Sequence, residues 1–164
     1  LKHSFLNIEA VAYFEGNMYL FNRKKPIIFK FDYQYFINYL EQNFDLPEIE
    51  CTEVGLPNLK DIDAGFSGAT ISTKTSQLIF TASLENTPNA YDDGEVLGSF
   101  LGIVDFKQIT NKDAYRFIKI EGNHLPFKVE SVAIVDELDS SFDLVFVTDS
   151  DDDESLDIKA KLLY

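Results

Sequence analysis

Short apolar runs separated by turn-forming residues dominate the chain. YLFNR, PIIFKF and SFLGIVDF are typical. They are rich in aromatic and β-branched side chains, which suit a pleated, half-buried surface better than a helix. One segment departs from this pattern. In residues 33–44, YQYFINYLEQNF, the residues Phe36, Ile37, Leu40 and Phe44 recur at helical spacing and predict a short helix.

The apolar pattern repeats three times. NIEAVAY followed by MYLFNR, GFSGATI followed by LIFTAS, and KVESVAI followed by LVFVTD share one form. Their first strands begin at Ile8, Phe66 and Val129. Aligning Glu9, Ser67 and Glu130 puts a small residue next in each copy (Ala10, Gly68, Ser131), and Met18, Leu78 and Leu144 align in the second members. Each copy reads as two strands joined by a turn, at residues 14–17, 72–77 and 136–143. A third strand is predicted at 27–32, 100–106 and 157–164. A fourth is predicted at 49–56 and 115–121, with none after the third copy.

Four antiparallel strands per repeat, innermost first, predict an all-β fold of β-propeller blades. The expectation is one domain of three four-stranded repeats, about 1–56, 57–121 and 122–164, with one short helical insertion. The repeat exceeds the usual period of about 40–50 residues. The helix and a polar loop over 85–98 account for the excess. Three blades do not close a ring. The chain is therefore expected to be the C-terminal part of a longer, six-bladed propeller, completed by its N-terminal remainder or by a second chain. A single curved sandwich of short strands is the competing architecture.

Composition narrows the function. The 164 residues carry a formal net charge of −14, which disfavours nucleic-acid backbones and anionic membranes, both bound through excess Lys and Arg. Cys51 is the only cysteine, so no intrachain disulfide forms; in IECTEV it reads as a packed strand thiol. No run approaches the roughly 18 apolar residues of a membrane span, and LKHSFLN lacks the apolar centre of a signal peptide. The chain begins with Leu1, so the compartment stays open.

The repeat also groups the charges. Strands alternate in direction, so the starts of first strands and the ends of second strands share one face. Glu9 and Glu130 fall at the expected channel mouth, with Asn22, Arg23, Glu85 and Asp149 at second-strand ends. Most of the net charge falls on this face. Converging carboxylates bind a cation, take up protons or repel one another, and oxygen ligands without His or Cys select Ca²⁺ or Mg²⁺. Glu9, Glu130 and Asp149 are thus candidate Ca²⁺ ligands, against a reading in which Arg23 and Lys128 pair with the two glutamates. Asn22, Arg23, Glu85, Asp92 and His124 are candidate ligand-binding residues. The loop ENTPNAYDDGEVLGS is long enough to cover the mouth, and Asp92 and Asp93 before Gly94 also suit a plain turn. His124 is the only imidazole of these loops, a general acid or base or a solvated side chain. The run 149–154 begins like an EF-hand loop, but Glu154 stands where that loop needs Gly and Ala160 where it needs Glu, so the motif fails. No G-x-S-x-G, Walker A, dinucleotide fingerprint or H-E-x-x-H occurs.

NIEAVAY with MYLFNR, and KVESVAIV with LVFVTDSDD, resemble the blade signature of phytase-like and SdiA-regulated-type bacterial propellers. SGATIS, LIFTASLEN and DDGEVLGS look closer to an uncharacterised group in the same clan. The resemblance implies that the inner-strand Glu reaches the channel mouth and helps hold calcium, which by position means Glu9 and Glu130; Ser67 departs from that pattern. A binding or scaffold propeller with an acidic, calcium-binding mouth is the leading expectation. A calcium-dependent phosphoester or lactone hydrolase, using metal-bound water, is the alternative, and an interaction module in a larger protein is a third.

Overall fold

The computed structural model describes residues 6–42, 44–86, 94–121, 126–149 and 155–164. They form antiparallel sheets with one α-helix. Sheet I contains β1 (Ile8–Phe14), β2 (Asn17–Asn22), β3 (Ile27–Asp32) and β4 (Glu50–Glu53). A small hairpin, β5 (Asn58–Leu59) and β6 (Ile62–Asp63), leads to sheet II, which contains β7 (Gly65–Ser72), β8 (Gln77–Asn86), β9 (Glu95–Asp105) and β10 (Arg116–Ile120). Sheet III contains β11 (Lys128–Leu138), β12 (Ser141–Asp149) and β13 (Asp157–Leu163). Within each sheet, strands neighbour one another in sequence order.

The local chemistry explains the elements. Glu15 and Gly16 join β1 to β2 with φ of 46° and 82°, and Lys60 and Asp61 join β5 to β6 with 54° and 63°. Two successive residues at positive φ give the turn whose twist matches a hairpin. The helix α1 (Tyr33–Gln42) starts where the Asp32 carboxylate accepts the Tyr35 N–H at 2.6 Å, a side-chain cap for an otherwise unpaired helical donor. Phe36 then packs on Phe31, ring centroids 4.9 Å apart.

Sheets I and II bury one core between them. Phe14, Tyr19, Phe21 and Ile28 meet Phe66, Leu78, Phe80 and Val104. The opposite face of sheet II, with Ile79, Leu101 and Ile103, packs on Val132, Leu144, Phe146 and Leu162 of sheet III. Sheet II is the filling of a three-layer stack, and its second strand, β8, is almost wholly buried.

Several expectations are corrected in detail. The turn between β11 and β12 is shorter than 136–143, because β11 continues to Leu138. Much of the polar loop 85–98 is strand: Glu85 and Asn86 end β8, and Glu95–Gly98 begin β9. The β5–β6 hairpin was not legible, since Asn58–Asp63 is too short and polar for an apolar alternation to register. Cys51 does lie in a strand, β4, but is exposed rather than packed.

A charged pocket at the start of the first strands

The first strands of sheets I, II and III each carry an irregularity at the same repeat position. Pairing shifts between Ile8 and Ala10, between Phe66 and Gly68, and between Val129 and Ser131. The residues passed over are Glu9, Ser67 and Glu130, the three that the repeat aligns. A bulge leaves one residue out of the ladder and re-aims its side chain.

Close backbone approach then brings the sheets together. A Cβ on Gly68 would lie 2.7 Å from the Ser131 Cα and 3.0 Å from the Val132 nitrogen, so only a glycine lets β7 and β11 run this close. Sheet II also grips the start of β11. The Ser99 hydroxyl donates to the Phe127 carbonyl at 2.7 Å and accepts the Val129 N–H at 3.0 Å. The Ser83 hydroxyl donates to the Val129 carbonyl at 2.8 Å. These bonds bracket Lys128 and hold Glu130 one residue beyond.

Arg23 comes from the other side, on the turn after β2. Asn22 shapes that turn: its side-chain oxygen accepts the Asn7 N–H at 2.6 Å and its amide donates to the Lys25 carbonyl at 2.9 Å. The Arg23 side chain crosses Gly65, where a Cβ would meet the Arg23 Cγ at 2.4 Å. Its guanidinium reaches Glu85 at 2.7 Å and stands 3.7 Å from Glu130. Lys128 lies 3.9 Å from Glu85, 3.8 Å from Glu130 and 3.8 Å from Asp149. The Lys128 and Glu85 side chains are only 10% and 9% exposed, so neither pairing is a loose surface contact.

These side chains line a pocket of about 930 Å³. Glu9 sits on its wall and accepts a short hydrogen bond from the Asn7 amide. The charged lining residues are Arg23, Lys24 and Lys128 against Glu9, Asp63, Glu85, Glu130 and Asp149, leaving two net negative charges. Burial pushes the Glu130 carboxyl above its ordinary value; Arg23 and Lys128 pull it down, and Glu9 and Asp149 push it up. Its Oε1 is buried and accepts no hydrogen bond among the described residues.

Glu9, Arg23, Glu85, Glu130 and Asp149 are therefore brought together, and Arg23 and Lys128 do pair with the glutamate of the third repeat. Asn22 is buried and spent on its turn instead of the pocket lining. Asp92 and His124 lie outside the described residues. Among the described residues, no group of three or more His, Cys, Asp or Glu is arranged to hold a metal ion. Asp63, Ser83 and Ser99 escaped the sequence reading. Two are serines inside apolar strands, and only the neighbouring strand's backbone reveals what they bind.

Comparison with known families matches residues 1–162 to a family of unknown function, DUF6929. The chain belongs to that family. The match spans all three sheets, so the pocket lies wholly within the family's extent. No curated protein matches the chain.

Proposed function

We propose that the chain is part of a β-propeller that binds a small cationic ligand in the charged pocket. Three meanders in sequence order, stacked face to face and bulged at the same position of each first strand, support the propeller reading. One observation carries the ligand reading. The Glu130 Oε1 is buried without a hydrogen bond among the described residues, on a wall whose net charge is negative. A buried carboxylate oxygen gains most from a charged donor. Arg23 makes its short bond to Glu85, and Arg23 and Lys128 approach the Glu130 Oε1 only at ion-pair distances of 3.7 and 3.8 Å, too long for a hydrogen bond. An organic amine meets this description; Ca²⁺ is the second reading, and it would require Glu9 and Asp149 to move in toward Glu130, since the three are not gathered as a metal-holding group.

Thermal melting in calcium chloride and, separately, in 1,4-diaminobutane tests the proposal. Ligand at ten times its Kd adds about 1.4 kcal/mol, a rise in Tm of roughly 3–6 °C for a domain of this size. One of the two probes should produce it in the wild type and fail to do so in Glu130→Gln. No shift with either at millimolar concentration overturns the reading. Hydrolysis of a model phosphoester or lactone that a chelator abolishes would turn binding into catalysis.

A further inference from the structure

The register of sheet I lays out a row of residues along one end of the sheet. Ile8 pairs with Asn22, Asn22 with Ile27, and Ile27 with Glu53. Backbone bonds carry the row one residue further, from the Arg23 N–H to the Asn7 carbonyl at 2.8 Å and from the Val54 N–H to the Pro26 carbonyl at 2.9 Å. Asn7, Arg23, Pro26 and Val54 all line the charged pocket. The cavity therefore follows the sheet from its first strand to its fourth, three strand spacings or about 14 Å.

Its two ends differ in chemistry. The inner end, at β1, β11 and β12, holds Glu9, Glu130 and Asp149. The outer end, past β4, is lined by Pro26, Val54, Leu56 and Ala64, with Gly55 among them. Pro26 and Leu56 are half-buried, so part of their apolar surface stays open. A Cβ on Gly55 meets nothing within 4 Å, which leaves the space beside this wall clear. The charged lining residues nearest the wall in sequence, Lys24 and Asp63, are exposed, and the Asp63 carboxylate accepts the Asn58 amide at 2.8 Å. Arg23 lies between the two ends. Its Cγ covers Gly65 and continues the apolar path, while its guanidinium turns to Glu85.

A short amine occupies only the inner end. The apolar wall gains from an apolar group on the same ligand, as ligand pockets combine a few polar anchors with apolar lining. We infer that the ligand is a primary amine carrying an apolar tail, its ammonium at Glu130 and its tail running outward to Pro26 and Leu56. The inference rests on the amine reading of the pocket.

Calorimetric titration of the whole chain with propylamine and with hexylamine tests it. Each buried methylene tightens binding about fourfold, so hexylamine, with three more, should bind the wild type up to about fifty-fold more tightly. Glu130→Gln should weaken both amines. Gly55→Gln puts a polar side chain in the space beside the wall and should bring the hexylamine advantage below that of one methylene, about fourfold. Nothing crowds that position, so the variant keeps the wild-type circular dichroism. Leu56→Asn should act in the same direction. Glu130-dependent propylamine binding with a hexylamine advantage below about fourfold overturns the tail and leaves the amine reading standing. An advantage that survives both Gly55→Gln and Leu56→Asn overturns it too, since the tail then lies elsewhere. No Glu130-dependent binding of either amine overturns the amine reading itself, and this inference with it.

Discussion

Glu130 shows how a residue's chemistry is set by its place. The bulge in β11 turns it out of the ladder, and burial then opposes its charge, with Glu9 and Asp149 adding to that effect and Arg23 and Lys128 opposing it. Its carboxyl should titrate above the ordinary glutamate value of about 4.3 when followed by carboxyl ¹³C shifts. Arg23→Gln should raise the midpoint further, and Glu9→Gln should lower it. A folded-state value above the unfolded one means that the folded protein holds this proton more tightly. The associated stability is present below the unfolded value and is lost as pH rises through the folded one. Glu130→Gln should flatten denaturation midpoints across that window. Glu9 and Glu130 were legible as a pair because a charge before a small, strand-like run recurs in the repeat. Asn22 drew notice as a polar residue at a strand end, and its bonds to Asn7 and Lys25 show that its side chain also holds the turn.

At the scale of elements, strands and helix follow from local pattern, and their exact contacts do not. Phe36 and Ile37 announced α1, and the recurrence of the repeat in GFSGATI announced β7. The need for glycine at Gly68 appears only when β11 lies against it. Gly68→Ala forces backbone against backbone and should cost about 1–3 kcal/mol in urea unfolding. Gly55→Ala, with nothing within 4 Å of the added methyl, is the control and should change stability little. The serines of β8 and β9 belong to the same lesson. Ser83 and Ser99 look like lapses in apolar strands until the Phe127 and Val129 backbone groups are seen to use them.

For the molecule as a whole, the stack makes stability uneven. Sheet II is buried on both faces and the outer sheets on one, so protection should follow that order. Amide exchange should be slowest across β8, from Leu78 to Leu84, and fastest in the edge strands β4 and β13. Comparable rates in all three sheets would contradict a shared core centred on sheet II. The sequence alone determined the strand order, the helix between the third and fourth strands of its first repeat, and the alignment of Glu9, Ser67 and Glu130. Those depend on periodicity and repetition, which are local properties of the chain. Tertiary structure decided which charges pair, why the Glu130 Oε1 is buried, and which faces of each sheet form the core. These depend on distances between residues far apart in sequence, such as Arg23 and Glu85, and no local pattern encodes them.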